Sequence, residues 1–374
     1  MDYETPQFFR VMQYASRAER DVVDMVSGNP DWEPPEALRM GLEAYARESP
    51  SAFQYPPSVG LTALREEVAS RRGVERNQVL ITNGAGEANH LAMSEGLELM
   101  SGSEILLVDP VYPYYAGRAK LLGADVSFVS VTESGHLDAN SVAEQATEET
   151  AVIVVNTPNN PLGVVYDEDT MATLVSIAER NDALLVSDEV YDHFDYEDRF
   201  SSALHVDSPN RVVTNSFSKS MAITGWRVGY AVFPDRDGPT GDLFDHARTR
   251  HMLTNVTGSR PAQAAVLHAL RETQPSYYEG VRDRLRTRID TFTNALDAAG
   301  AEYTVPEGGF YVMARFPGFR GSMENVERLV DEAGVAGMPG EAFGEARSEW
   351  LRFALVTPRV ETAAERLATF FERE

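Results

Sequence analysis

The hydrophobic pattern of the chain is that of short strands alternating with helices from about residue 78 to residue 234. The apolar runs are QVLITN, EILLVDP, DVSFVSV, AVIVVNTP, ALLVSDEVY, RVVTNSFS and VGYAVFP. Runs of this length predict strands, and amphipathic stretches between several of them, such as EDTMATLVSIAERN, predict helices. Near-continuous apolar strands alternating with helices are typical of a parallel sheet covered on both faces. We therefore predict an α/β fold with a mostly parallel, seven-stranded sheet between helices.

The pattern becomes helical after this segment, and a smaller α+β unit follows. The stretch YYEGVRDRLRTRIDTFTNALDAAG is long enough for a helix that connects two domains. Beyond it we predict strands in GGFYVMARF and WLRFALV, a helix from about Met323 to Ala333, and a closing helix in ETAAERLATFFERE. The predicted large domain spans residues 45–275. The N- and C-terminal segments, residues 1–44 and 276–374, form the predicted small domain.

Length and composition support two packed regions in a soluble chain. The 374 residues exceed the size at which one hydrophobic core usually keeps growing. Hydrophobic residues make up 43% of the chain, but no stretch approaches the roughly 20 uncharged apolar residues of a membrane helix. The N-terminal MDYETPQFFRVMQY lacks the basic start and apolar run of a signal peptide. We expect a cytoplasmic protein that does not bind membranes.

The charge balance excludes some partners and indicates an unusual environment. The formal net charge is -25, from 58 acidic and 33 basic residues, and a field of that sign repels nucleic acid. Lys120 and Lys219 are the only lysines. An acid excess with few lysines favours adaptation to concentrated salt, whereas a GC-rich genome would explain only the loss of lysine. The absence of cysteine excludes disulfides, thiolate nucleophiles and cysteine-bound metals.

Polar loops follow five of the predicted strands. Their sequences are NGAGE, DPVY, NTPNNP, SDEVY and SFSKS. In an open α/β sheet, ligands bind in the crevice outside the carboxyl ends of the strands. We therefore expect these five loops to form one binding site.

Lys219, in SFSKS, is the candidate nucleophile of this crevice. Desolvation lowers the pKa of a lysine amine, and the neutral amine can form an imine with an aldehyde. The run from Ser216 to Lys219 also matches the S-x-x-K motif of penicillin-recognising serine enzymes. Those enzymes need a K-T-G motif as well, whereas Lys120 lies in RAKLLG. We therefore favour the imine chemistry.

The segment SDEVYDHFDY has two interpretations. Its four carboxylates and one imidazole are residue types that bind metals. In so acidic a chain, a solvated loop is the better interpretation for Asp192 and Asp195, and we predict no metal. Asp188 differs because it ends an apolar strand at the crevice. A carboxylate there can keep a pyridine nitrogen protonated through a charge-assisted hydrogen bond.

The stretch ITNGAGEANHLAM is typical of an anion site built from backbone groups. It predicts a strand, a glycine-rich turn and a helix, whose first N–H groups bind phosphate. Gly84 and Gly86 also resemble half of a dinucleotide fingerprint, with Asp109 as the ribose ligand. Asn89 occupies the position of the third glycine, so we favour a phosphate without a dinucleotide.

In order and spacing, these motifs resemble the class I/II aminotransferases of the aspartate aminotransferase superfamily, the fold-type I pyridoxal phosphate enzymes. The resemblance covers nearly the whole chain, from SGNPDWEPP to WLRFALV, and includes QYPPSVG, NTPNNPLG, SFSKSMAITGWRVGY and PEGGFYV. It implies pyridoxal 5'-phosphate as cofactor. The implied reaction moves an amino group between an L-amino acid and a 2-oxo acid by a ping-pong mechanism.

The resemblance also implies site residues, each by its position in a motif. As catalytic residues it implies Lys219, which carries the cofactor as a Schiff base and acts as base, Asp188 on the pyridine nitrogen, and Tyr191. The other implied cofactor contacts are Asn160 on the phenolic oxygen, Tyr112 on the ring face, and Gly84, Ala85, Gly86, Ser216 and Arg227 on the phosphate. Tyr55 would reach the phosphate of the neighbouring subunit in a homodimer. Arg352 would bind the substrate α-carboxylate, with Gly28 and Asn160 nearby.

One motif departs from the family pattern, which leaves the subgroup of the family undetermined. The usual N-P-T-G reads Asn160-Pro161-Leu162-Gly163 here, so the turn-forming residues are kept while the threonine is not.

Two alternatives remain open for the function. A β/γ-lyase would use the same residues, and a non-catalytic sensor would bind the cofactor without turnover. The motifs do not determine the substrate side chain.

Overall fold

A seven-stranded sheet forms the centre of the computed structural model, which describes residues 6–235 and 242–373. In chain order, the strands of the described residues are β1 Val23–Asp24, β2 Val79–Thr82, β3 Glu104–Asp109, β4 Asp125–Ser130, β5 Thr150–Asn156, β6 Leu184–Asp188, β7 Arg211–Ser216, β8 Gly229–Val232, β9 Glu302–Tyr303, β10 Tyr311–Arg315, β11 Val335–Ala336, β12 Met338–Pro339 and β13 Leu351–Ala354. The central sheet has the order β2-β8-β7-β6-β5-β3-β4. Only β8 runs antiparallel to its neighbours. The predicted α/β fold with a mostly parallel, seven-stranded sheet is confirmed.

Helices cover both faces of this sheet. In the described residues, the α-helices are α1 Gln7–Arg17, α2 Glu36–Tyr45, α3 Thr62–Arg72, α4 Ala85–Leu99, α5 Pro113–Leu122, α6 Ala139–Gln145, α7 Glu168–Arg180, α8 Asp242–Asn255, α9 Arg260–Glu272, α10 Pro275–Ala298, α11 Met323–Arg328 and α12 Val360–Phe371. The predicted helix from Met323 to Ala333 is α11 with a π-helical continuation, Leu329–Ala333. No helix of the described residues is both long enough and apolar enough to cross a membrane.

The two faces of the sheet pack into two separate hydrophobic clusters. Side chains of successive strand residues point to opposite faces. In β5, Val152 and Val154 therefore belong to one cluster, whereas Ile153 and Val155 belong to the other. This double burial explains why the central strands are apolar at nearly every position.

The remaining strands form two smaller sheets. The strands β12, β13, β10 and β9 pair in that order as an antiparallel sheet. In the N-terminal segment, β1 pairs in parallel with β11, so this segment lies beside the C-terminal part of the chain. The division of the chain at residues 45 and 275 stays a prediction.

The direction of the strands places the polar loops together. The strands β2, β3, β5, β6 and β7 run in the same direction. Their carboxyl ends therefore lie along one edge of the sheet, where ligands bind in open α/β folds. The loops that follow them are those that carry the predicted site residues.

Candidate functional site

Lys219 lies in the loop after β7, with its amine inside the crevice. Its Nζ atom donates a hydrogen bond to the carbonyl oxygen of Gly28 at 2.6 Å. Burial and the positive charges of Arg352 and Arg227 lower the pKa of Lys219 to about 8, while the charge of Asp188 opposes the shift. With this pKa the amine is mainly protonated near physiological pH but is neutral far more often than an ordinary lysine, and the neutral form is the nucleophile and base.

Asp188, at the end of β6, is buried and held by three donors. Its Oδ2 atom accepts hydrogen bonds from Asn89 Nδ2 and from the hydroxyl of Tyr115, both at 2.6 Å. The backbone N–H of Val190 donates to Oδ1 at 3.2 Å. Burial raises the pKa of Asp188, and the bonds from Tyr115, Asn89 and Val190 oppose this shift. The donors orient the carboxylate and stabilise its charge.

Asn89 is itself fixed by the neighbouring strand. The hydroxyl of Thr214 in β7 donates to Asn89 Oδ1 at 2.6 Å. The amide oxygen of Asn89 is therefore occupied, and its NH₂ group faces Asp188. The sequence prediction used Asn89 only as evidence against a dinucleotide site and missed this contact. A polar side chain within the buried part of α4 was the available signal.

The glycine turn before α4 lies against Arg227. Gly84 has a positive φ of 83°, and a Cβ atom there would lie 2.5 Å from Arg227 Nη2, so a side chain does not fit. Arg227 donates to the backbone oxygens of Thr224 at 2.8 Å and Asn83 at 3.3 Å, and forms no ion pair within the described residues. A free guanidinium beside a helix N-terminus favours an anion. The predicted residues Ala85 and Gly86 form the first turn of this helix.

Two serines add polar groups beside this turn. Ser216 ends β7, and its Oγ atom accepts a bond from the backbone N–H of Ser218 at 3.4 Å. The hydroxyl of Ser218 is buried and has no hydrogen-bond partner within the described chain. A buried hydroxyl without a partner is costly, so this group is available for a ligand.

Arg352, in β13, is a buried arginine that pairs with no carboxylate in the described part of the chain. Its Nη1 and Nη2 atoms donate to Asn160 Oδ1 at 3.2 Å and to the carbonyl of Val26 at 2.5 Å. Its guanidinium lies 4.6 Å from the ring centroid of Tyr311 and 5.1 Å from that of Phe343. Burial lowers its pKa. Because a buried charge is costly without a counterion, this arginine is suited to a ligand carboxylate.

Tyr191 and Gly28 meet at the hydroxyl of Tyr311. The hydroxyls of Tyr191 and Tyr311 are 3.1 Å apart. A Cβ atom on Gly28 would lie 2.1 Å from the Tyr311 hydroxyl, so a side chain there would require Tyr311 to move. Burial raises the pKa of Tyr191, which keeps its hydroxyl protonated as a donor. Sequence reasoning missed Tyr311, which lies in the GGFYV strand.

Tyr112 lies at the rim of the same crevice, directly before α5. Its ring centroid is 5.7 Å from that of Tyr115, the residue that binds Asp188. Burial raises the pKa of Tyr112, and Tyr311 and Arg352 are near enough to act on it. The aromatic ring thus lies near Tyr115 and the other side chains of the crevice, and its predicted stacking on the cofactor ring stays a prediction.

Tyr55 is not brought into this crevice by its own chain. Its side chain is 81% exposed. It lines a surface groove with Leu42, Phe53, Asn255 and Thr257. The single chain therefore does not test the predicted contact with a neighbouring subunit.

Two acidic residues after β6, Asp192 and Asp195, were predicted to lie in a solvated loop, and the structure differs. Asp192 bonds to Arg72 and accepts a hydrogen bond from Asn215 Nδ2 at 3.0 Å, so the prediction of a solvated side chain was wrong. The physical reason is the charge of Arg72, which lies 120 residues earlier in the chain. Asp195 accepts bonds from two backbone N–H groups, of Glu197 and Phe200, and ends a turn.

Comparison with known proteins identifies the family that has this fold. The family model for aminotransferase class I and II matches residues 20–367, and the chain belongs to that family. An aspartate/prephenate aminotransferase of Thermus thermophilus is 30% identical, with 94% of this chain and 92% of that protein covered. A probable aspartate aminotransferase of Methanocaldococcus jannaschii is 29% identical over 91% and 90%.

Solved structures agree with this assignment. The Thermus thermophilus aspartate aminotransferase with maleate superposes with a TM-score of 0.88 at 28% identity, covering 98% of this chain and 97% of that one. An aromatic aminotransferase of Pyrococcus horikoshii OT3 gives 0.86 at 25% identity, covering 97% and 99%. The predicted family and the predicted activity, amino-group transfer between an amino acid and a 2-oxo acid, are confirmed.

Proposed function

We propose that this aminotransferase binds pyridoxal 5'-phosphate covalently at Lys219 and uses Asp188 and Arg352 to position the reacting groups. The observation that carries the proposal is the partly buried Lys219 amine, which bonds to the Gly28 carbonyl at 2.6 Å and whose pKa is lowered within the influence of Arg352 and Asp188. The site also fits the cofactor phosphate, because the Ser218 hydroxyl and the Arg227 guanidinium lack anionic partners among the described residues.

Each residue has a defined task in the proposed mechanism, and Lys219 has two. Bound pyridoxal phosphate supplies a protonated pyridine ring that withdraws electrons from the substrate α-carbon. The carboxylate of Asp188 holds the proton on the pyridine nitrogen, because its own orientation is fixed by Asn89 and Tyr115. Arg352 binds the substrate α-carboxylate through its guanidinium. The Lys219 Nζ atom removes the α-proton and later donates a proton, which its pKa of about 8 permits.

The function is tested with the purified holoenzyme and single amino acids, beginning with aspartate because several relatives are named for it. Without a 2-oxo acid acceptor, we expect one equivalent of 2-oxo acid per active site and no free ammonia. Addition of an acceptor should give continuous turnover with ping-pong kinetics. Continuous release of ammonia without an acceptor would instead identify a lyase, and cofactor binding without any half-reaction would identify a sensor.

We predict that cofactor capture by the apoprotein depends on pH through Lys219. Because only the neutral amine attacks an aldehyde, the capture rate should rise with pH through about 8 and then level off. The measurement is stopped-flow mixing of apoprotein with pyridoxal phosphate, followed by borohydride trapping. Nα-acetyl-lysine, which has only the side-chain amine, is the control, and its rate should keep rising toward a pKa of about 10.4. A capture rate that also rises to that pH would contradict the lowered pKa.

We propose that the chain forms a homodimer in which Tyr55 reaches the neighbouring site. Exposed apolar side chains support this, since Phe53 in the Tyr55 groove is 58% exposed, and Leu253 and Val256, close in the chain to the groove residues Asn255 and Thr257, are 80% and 52% exposed. We predict that Leu253→Asp shifts the sedimentation of the protein from dimer to monomer, because a charge opposes burial of this face. Val305→Asp, at another exposed position, is the control. A wild-type protein that sediments as a monomer would exclude the proposal.

We propose that the chain is adapted to concentrated salt. The chain has 58 acidic residues and only 33 basic ones, so its excess negative charges repel each other. Salt shortens the range of this repulsion from about 10 Å at 0.1 M to about 3 Å at 1 M. We predict that removal of salt lowers the thermal unfolding midpoint, measured by circular dichroism over a potassium chloride series. Full structure and activity without salt would contradict this prediction. The cytoplasmic location stays a prediction.

A further inference from the structure

A second guanidinium, of Arg118 in α5, lies beside the N-terminus of α4. A Cβ atom on Gly86 would lie 3.0 Å from Arg118 Nη2 and 3.9 Å from Arg227 Nη2. Gly86 has no side chain, so the tips of the two arginines lie close to the same point of the helix. No motif in the sequence pointed to Arg118, because it lies inside a helix rather than in one of the five loops.

Arg118 has no anionic partner in the part of the chain that the structure describes. Its only hydrogen bond there runs from Nη1 to the carbonyl of Tyr114, at 3.4 Å. Other arginines of this acidic chain pair with carboxylates, as Arg288 does with Asp31 at 2.7 Å. Arg118 and Arg227 instead place two like charges near each other and near the positive end of a helix dipole. Such an arrangement is stabilised by a bound anion.

The position of Arg118 on α5 links it to the proposed site. Tyr115 lies three residues earlier on the same side of this helix and binds Asp188 at 2.6 Å. Arg118 is also close enough to act on the charge of Asp188. The helix thus presents one residue to Asp188 and another to the first turn of α4.

We propose that Arg118 is an anion-binding residue of this enzyme and holds an oxyanion beside Gly86. The inference rests on the proposed function, and the oxyanion has two possible sources. One is the phosphate of the cofactor, which would then contact Arg118 and Arg227 together. The other is a carboxylate on the substrate side chain, as in aspartate. In both cases the planar guanidinium would donate two hydrogen bonds to the oxyanion.

The test compares Arg118→Met and Arg118→Lys with Lys120→Met, a control that removes one positive charge from the same helix. The affinities of each apoprotein for pyridoxal phosphate and for pyridoxal, which lacks the phosphate, are measured by fluorescence titration. If the phosphate is the ligand, Arg118→Met should weaken binding of pyridoxal phosphate by about 10- to 100-fold and leave pyridoxal binding unchanged. Arg118→Lys should restore part of the loss.

The second source gives a different result in the same variants. If a substrate carboxylate is the ligand, both cofactor affinities stay unchanged. The KM for aspartate should then rise by about 10- to 100-fold relative to that for alanine, with kcat little changed. Circular dichroism checks that each variant is folded.

Two outcomes would overturn the inference, and they are distinguishable. If Arg118→Met matches Lys120→Met in all these measurements while the wild type binds pyridoxal phosphate, only the role of Arg118 is rejected. If the wild-type apoprotein does not bind pyridoxal phosphate, the proposed function fails and the inference falls with it.

Discussion

Replacement of Lys219 by alanine should reduce aminotransferase turnover by at least about 10³-fold. Lys219 places its amine in the crevice between Gly28 and Asp188, and the only other lysine, Lys120, is exposed on α5. The same side chain is proposed to attach the cofactor and to move the α-proton, so alanine removes both tasks. Turnover of aspartate with a 2-oxo acid acceptor is the measurement.

The two-lysine sequence makes the attachment site directly measurable. After borohydride reduction of the holoenzyme, peptide mapping should find the cofactor only on the peptide that contains Lys219. Lys120→Ala should keep both the label and the activity, which makes it the matched control. Label on Lys120, or no label on either peptide, would reject the assignment. Full turnover of the Lys219→Ala variant would reject the role of the amine as base.

Replacement of Asp188 by asparagine should lower kcat/KM by about 10³-fold. The carboxylate accepts two hydrogen bonds from Asn89 and Tyr115, so it is fixed in orientation, and it is proposed to carry the charge that keeps the pyridine nitrogen of the cofactor protonated. Asparagine keeps the shape but removes the charge. Kinetics on aspartate give the effect on rate, and ¹⁵N NMR of labelled cofactor reports whether the pyridine nitrogen stays protonated.

Stability separates this electrostatic role from a structural one. Burial raises the pKa of Asp188, which means that the charged form is disfavoured in the folded chain. Asparagine can keep its oxygen toward Asn89 and Tyr115 and lose only the 3.2 Å bond from Val190, so relief of the buried charge should offset this loss and the thermal unfolding midpoint of the Asp188→Asn apoprotein should change little. Asp283→Asn, whose side chain is 76% exposed, is the control for the loss of one negative charge and should keep full activity. An Asp188→Asn enzyme with a protonated pyridine nitrogen and normal rate would contradict the proposed role.

Local patterns were sufficient to predict the fold class and the main loops of the site. The short, continuous apolar run in segments such as AVIVVNTP predicts a strand, and its apolar character on both faces predicts a covered sheet. All seven predicted strands of this sheet are present in the structure. The positions of Lys219 and Asp188 follow, because the carboxyl ends of parallel strands meet at one edge.

The contacts around those residues were not predictable in the same way. Asn89 and Asp188 are 99 positions apart in the chain, yet their side chains bond at 2.6 Å. Asp192 was predicted to be solvated, and the distant Arg72 binds it instead. Such pairs depend on how helices and strands pack, and no local pattern in the sequence marks them.

The sequence by itself determined the succession of strands and helices along the chain, the family, and the lysine expected in the crevice. These depend on neighbouring residues and on motifs that follow one another in the sequence. Tertiary structure decided the environment of each group. It places the Lys219 amine, partly buried, beside the Gly28 carbonyl, 191 residues earlier in the chain, and places Arg118 beside Gly86. The pKa of Lys219 depends on desolvation and on nearby charges, and the lack of an anionic partner for Arg118 in the described chain depends on which side chains surround it. Both were decided only when distant segments packed together.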